Sequence, residues 1–269
     1  QISPFAVHSH ESEGEPSFAS SNFRIQLIDN YAALLTFLRR LDALLTTTDE
    51  MPTLAVDFEG VKLCRHGAMC LAQISCSADP GLIFVVDVYV LGNSVFSFAT
   101  ERGTSLKWVL ENGFIRKVWF DPRNDVDALY HYFGIQPKGI FDLQIAEVAV
   151  RRSKGLPVRY VQGLFKCLLQ LDALTGAEHD FAQQLNDSGK KLFEPECGGS
   201  YDVFKRRPLD PTILVYAAHD VRYMLLLYGS YLQQMDHSMV VRVEVCSTQR
   251  GAWCLHRDYV QPSSEAPHF

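Results

Sequence analysis

This chain has no Cys-x-x-Cys pair, no glycine-rich phosphate loop, no internal repeat and no long apolar run. Without the glycine-rich loop it lacks the backbone cradle of a P-loop nucleotide-binding protein. No stretch reaches the roughly 20 apolar residues that cross a bilayer, so no membrane partner is expected. The seven cysteines are odd in number and lie mostly in apolar stretches. They argue against a disulfide framework and fit reduced thiols of an intracellular protein, in cytoplasm or nucleus. Cys64, His66 and Cys70 fit no zinc-binding spacing. Basic residues are the minority, 25 Lys and Arg against 31 Asp and Glu, for a net charge of −6. That excludes a protein that coats nucleic acid by charge alone. It does not exclude an enzyme whose acidic side chains hold cations. Residues 1–21 are polar and have no basic start followed by an apolar core; they read as a disordered tail rather than a signal peptide.

What remains is an ordinary globular composition, 47% hydrophobic and 21% charged over 269 residues, enough for one large domain. Phe23 to Ile28 alternates as a strand. Asp29 or Asn30 can cap a following helix with a stripe of Leu34, Leu35, Leu38, Leu41 and Leu45. Strand-like runs at 53–59, 69–77 and 82–88 are joined by short Gly- and Pro-containing links, which predicts an antiparallel meander. From residue 104 the pattern changes to alternating helix and strand (helices near 104–112, 123–133 and 143–152; strands 116–120 and 139–142), the sign of a parallel portion. Residues 153–210 are less regular: a helix from Pro157 to Leu169 and a long loop from Glu194 to Arg207 are expected. A long apolar helix follows over 211–234, then a strand from Val240 to Val245 and a weakly ordered tail over 248–269.

Four acids stand where carboxylates are a liability. Asp57 and Glu59 end the apolar run Thr53-Leu54-Ala55-Val56, and residues two apart on a strand share a face. Asp220 lies in an apolar helix with Tyr216 four residues before it, on one helix face. Small Ala217 and Ala218 let that helix approach a sheet. Asp125 falls in the first turn of the helix after strand 116–120; Asp121 before Pro122 reads as its N-cap, and Asp127 as a solvated residue on another face. Inward carboxylates repel and lose hydration, so they need a partner; two on one rigid face suit a hard divalent cation.

In order, Asp57-Phe58-Glu59-Gly60, then Asn124-Asp125 running on to Leu129 and Phe133-Gly134-Ile135, then Phe141-Asp142-Leu143-Gln144, then Arg207-Pro208-Leu209 leading to Tyr216-Ala217-Ala218-His219-Asp220-Val221, resemble the motifs of the DEDDy 3′-to-5′ exonucleases. The ribonuclease D and Egalitarian-like members are the nearest in flavour, and the resemblance covers roughly residues 23–235. Many members place an aromatic residue where Asn124 stands, so Asp121 and Asp125 both stay open for the second motif; Leu129 and Phe133-Gly134-Ile135 favour Asp125.

The resemblance implies an α/β, RNase H-like fold with a mixed five-stranded sheet flanked by helices, as an exonuclease domain over residues 22–247. It implies two divalent metal ions, Mg2+ or Mn2+, held by Asp57, Glu59, Asp125 and Asp220. Tyr216 would orient or help deprotonate the attacking water. The implied partner is the 3′ end of a single-stranded nucleic acid, RNA favoured, cut to nucleoside 5′-monophosphates; a homodimer stays open as an assembly. Arg151, Arg152, Arg206 and Arg207 are basic residues placed to grip phosphates, as are Lys154, Arg159 and Lys205; Asp142 reads as a helix cap. Two other readings stand beside this one: a catalytically silent RNA-binding or dimerising scaffold, and a hydrolase of very short oligonucleotides.

Overall fold

The computed structural model describes residues 23–46, 51–256, 258 and 259; the expected tail over 1–21 lies outside them. The chain runs β1 (Arg24–Ile28), α1 (Tyr31–Thr46), β2 (Leu54–Val61), β3 (Ala68–Cys76), β4 (Asp79–Asp87), α2 (Val88–Leu91), α3 (Leu106–Glu111), β5 (Lys117–Trp119), α4 (Arg123–Phe133), β6 (Ile140–Asp142), α5 (Leu143–Ser153), α6 (Leu164–Leu168), α7 (Gly176–Phe193), α8 (Pro211–Arg222), α9 (Met224–Gln233) and α10 (His237–Cys254).

The strands form one mixed sheet in the order β1-β4-β3-β2-β5-β6. β2, β3 and β4 are the antiparallel meander expected from their short links. β5 and β6 continue it in parallel beside β2. The sheet has six strands rather than five, because β1 joins the far edge parallel to β4.

Helices cover both faces, as alternating strand burial requires. On one face, α1 buries Leu34, Phe37, Leu38 and Leu41 with α3 and α4 against Leu54, Val56 and Phe58. At roughly 1.5–3 kcal/mol per large side chain removed from water, this stripe fixes which way β2 faces. Asn30 caps α1 by accepting from Ala33 N at 2.9 Å. On the other face, α5, α6, α8 and α9 pack against Ala55, Leu71, Ile83, Val85 and Val118. Val56 and Phe58 turn into the first core, so Asp57 and Glu59 must point toward the second, under α8.

The C-terminal third departs from expectation. Residues 240–245 are the start of helix α10, not a strand, and α10 runs through the expected boundary at 247 with Cys254 buried. Only Leu164–Leu168 of the expected helix from Pro157 is helical. α7 was not anticipated, and the 211–234 segment is two helices broken at Tyr223. All seven cysteines are free. Among the described residues no helix is long and apolar enough to cross a membrane.

Candidate metal centre

β2 outruns its parallel neighbour: β5 pairs with it only at Leu54 and Ala55. Asp57 and Glu59 therefore lie beyond the carboxyl end of β5, where open α/β sheets bind ligands. On the other side they stand opposite Gln73 and Leu71 of β3. A bulge separates Glu59 from Gly60. A Cβ at Gly60 would lie 1.9 Å from the Ala68 carbonyl oxygen, so only glycine lets β3 close on β2 directly behind the glutamate.

α8 brings the third carboxylate. Asp210 caps it by accepting from Thr212 N at 2.8 Å, with Pro211 in the first turn. Ala217 and Ala218 are fully buried, and α8 packs across β2, β3 and β4. One helical turn from Tyr216, Asp220 faces the sheet. One carboxylate oxygen each of Asp57, Glu59 and Asp220 lies within 4.8 Å of the other two. Asp125, buried in the first turn of α4, stands outside that triplet but close enough to Asp57 to feel its charge.

The electrostatics follow from crowding. Loss of hydration pushes the Asp57 carboxyl up to about 7, the Phe58 backbone amide only partly offsetting it. Burial raises Glu59 well above the usual carboxylate range, and the Asp57, Asp220 and Asp125 charges add to this. Asp125 rises through burial and then Asp57; Asp220 does the same. Tyr216 is pushed well up by burial, then by Asp220, Glu59, Asp57 and Glu194. Its ring packs 5.1 Å from Phe193 and lies against Gly189, where an added Cβ would come within 2.5 Å of ring carbon Cδ2.

The other buried acids are each given an arginine. Arg207 pairs with Asp87, Arg65 with Asp127, Arg250 with Asp142 and Arg151 with Glu147. Among the described residues no Lys or Arg forms an ion pair with Asp57, Glu59, Asp125 or Asp220. Three convergent carboxylates, with Asp125 beside them, form an all-oxygen donor set that fits a hard divalent ion.

The pairings correct several expectations. Asp121 does not cap α4: it has φ +54° and is bound by Arg123 Nη2 at 2.7 Å. Of the two candidates for the second motif, Asp125 is the one left without a basic partner. Asp127 is buried against Arg65, not solvated. Asp142 does cap α5, accepting from Gln144 N at 2.9 Å. His219 is buried between Phe181 and Tyr223, and burial lowers it to about 4, so it stays neutral.

The basic residues separate. Arg151 is spent on Glu147 (Nη2 to Oε2, 2.8 Å) and the Tyr160 carbonyl. Arg207 is held by Asp87 and the Phe204 carbonyl, with Tyr89 beneath its guanidinium. Arg152 lines a cavity between α5 and α10 with Met239 and Arg242. Arg206 is exposed, just past a 3-10 turn (Tyr201–Lys205) that touches β2 and β3. A cleft of about 230 Å³ opens onto Tyr216 and Asp220, with Phe165, Asn186 and Lys190 on its walls. Lys190 escaped the sequence reading because α7 did; the box Thr175-x-x-Glu178, which caps α7, was the available signal.

The family model described as 3'-5' exonuclease matches residues 33–236. The piRNA biogenesis protein EXD1 of Mus musculus is 26% identical over 216 residues, 80% of this chain and 35% of that protein. The Xenopus laevis protein of the same name is 28% identical over 196 residues, 71% of this chain and 40% of its own length. This chain thus spans little more than a third of the curated relatives it matches. The crystal structure of Trypanosoma brucei RNase D in complex with GMP superposes with a TM-score of 0.66 at 25% identity, covering 90% of this chain and 68% of that one.

Proposed function

Because the chain belongs to the 3'-5' exonuclease family, we propose that it removes nucleotides one at a time from the 3′ end of single-stranded RNA, releasing nucleoside 5′-monophosphates with two divalent cations. The observation that carries this is the selective absence of arginine: the fold pairs its other buried acids and leaves Asp57, Glu59, Asp125 and Asp220 for ions.

Asp57, Glu59 and Asp220 would hold one cation, and Asp57 with Asp125 the other. When bound, such ions supply Lewis acidity for water and charge neutralisation for the leaving 3′ oxygen. The chain's own groups do the rest. Tyr216, one helical turn from Asp220 with its ring packed on Phe193 and Gly189, would orient the attacking water. The cleft beside Asp220 takes the terminal nucleotide, with Phe165 available to stack and Lys190 to meet a phosphate. Arg206 is free to contact the strand farther back. RNA is favoured over DNA because the RNase D relative binds GMP, a ribonucleotide, and the curated relatives carry names in piRNA biogenesis. A silent scaffold has no use for four mutually repelling carboxylates.

The test is a 5′-labelled oligoribonucleotide incubated with protein and Mn2+, beside EDTA and a DNA strand of the same sequence. A ladder shortening from the 3′ end, abolished by EDTA and by Asp220→Asn, is expected. Cleavage only of dinucleotides would replace the RNA substrate by short oligonucleotides; no Mn2+-dependent cleavage at all would overturn the proposal.

A further inference from the structure

α10 begins where the family match ends, at residue 236. It packs across β6, α4 and α5. From it, Ser247 accepts a hydrogen bond from Asp142 N at 2.9 Å and donates to the Val243 carbonyl at 2.7 Å. One turn on, Arg250 Nη1 meets Asp142 Oδ2 at 2.5 Å, and Nη2 reaches Gln144 Oε1 at 2.7 Å and Asp121 Oδ1 at 3.6 Å. Asp142 has no exposure, and its Oδ1 accepts from the backbone N–H groups of both Asp121 (3.0 Å) and Gln144 (2.9 Å).

One guanidinium thus ties together the turns that leave β5 and β6. The β5 turn is unusual: among the described residues Asp121 is one of two non-glycine residues at positive φ, +54°, a conformation that must be held from outside. The hold is the Asp142 carboxylate on its amide, with Arg123 and Arg250 on its own carboxylate. Asp125 follows four residues later, in the first turn of α4. Asp57, Glu59 and Asp220 sit on other elements, β2 and α8.

We propose that α10 is a working part of the site: Arg250 is a positioning residue that fixes the β5–α4 turn and thereby places Asp125 for the second cation. This rests on the metal-dependent reading above. Without Arg250, Asp142 and Asp121 are two acids in a confined space with one arginine fewer, and the left-handed turn loses an anchor. Asp125 then drifts, while the Asp57–Glu59–Asp220 triplet stays. Groups that orient metal ligands from behind are worth about 10- to 100-fold in metal affinity or activity.

The experiment titrates Mn2+ into wild type, Arg250→Gln, Arg250→Lys and Glu244→Gln, following free Mn2+ by electron paramagnetic resonance, alongside thermal unfolding and RNA cleavage. Glu244→Gln is the control: it cuts a different α10 tether, to Arg116 at 2.5 Å. Wild type should bind two ions. Arg250→Gln should keep one at unchanged affinity, bind the other about 10- to 100-fold more weakly, and recover part of its cleavage rate at high Mn2+. Arg250→Lys should fall between, retaining charge without the fork. Glu244→Gln should keep both ions even if it unfolds earlier. The proposal is overturned if Arg250→Gln binds both ions as wild type does, loses both equally, or is matched by Glu244→Gln. If wild type binds no Mn2+, the metal-dependent reading falls with it; if wild type binds two and only Arg250→Gln behaves wrongly, the positioning role alone falls.

Discussion

Replacing Asp57 with asparagine should stabilise the metal-free protein. An unfolded aspartate titrates near 3.8, and Asp57 in the fold near 7. A difference of about 3 units at about 1.4 kcal/mol per unit gives about 4 kcal/mol. Asp57 is half-buried rather than sealed, so screening by water trims this to about 2–4 kcal/mol. The sign follows from the direction of the shift. The folded value is the higher one, so ionisation opposes folding: the cost is absent below pH 3.8, grows as pH rises, and is complete above about 7. In EDTA at pH 8, Asp57→Asn should therefore unfold above wild type by roughly 4–8 °C, and the gap should close toward pH 4. Mn2+ at about 100 times its Kd adds about 2.7 kcal/mol per bound ion to wild type. Two ions exceed the repulsion, and the order of the two proteins should reverse. Differential scanning fluorimetry across pH, with and without metal, reads this directly. A variant less stable than wild type in EDTA at pH 8, or a gap that ignores pH, would refute the carboxylate-repulsion account.

Tyr216→Phe should lower the RNA cleavage rate while leaving Mn2+ affinity within about twofold, because the hydroxyl orients water and is not a ligand; loss of Mn2+ binding by calorimetry would contradict that role. Gly189→Ala puts a Cβ 2.5 Å from the Tyr216 ring, so it should cut turnover as Tyr216→Phe does, with the metal titration unchanged. Arg207→Ala leaves Asp87 buried without its cation, which should cost about 3–5 kcal/mol in urea unfolding, whereas Arg206→Ala should leave stability intact and weaken RNA binding in a filter assay. Equal effects of the two on stability would remove the distinction drawn between them.

The sheet and the acidic triplet were legible because they rest on local pattern. Period-two burial in 54–59 fixes which side chains share a face, and a four-residue spacing fixes Tyr216 and Asp220. What escaped depends on distant partners. Asp127 looked solvated although Arg123 and His131 stand one turn to either side; Arg123 goes to Asp121, and the arginine that takes Asp127 is 62 residues away, in the β2–β3 connection. Val240, Val241, Val243 and Val245 read as a strand by β-branched content. The helix wins because Asp236 caps it at 2.8 Å and Val243, Ser247, Gly251 and Cys254 form one buried stripe. α7 buries only Ala182, Leu185 and Gly189, too thin a stripe to stand out in a polar run. Arg207 matched its motif position, yet its guanidinium serves a buried aspartate.

The placement of β2 decides where the molecule yields when no ion is present. Flanked by β3 along its length and by β5 at its start, the strand bearing two of the crowded acids can retreat only if the whole sheet opens. α8 is held to the sheet by side-chain packing instead, through Ile213, Ala217, Ala218 and Val221, all fully buried. Repulsion among the crowded acids therefore loads the contact between α8 and the sheet rather than the strand pairing, and cations held between Asp57, Glu59 and Asp220 would relieve that load.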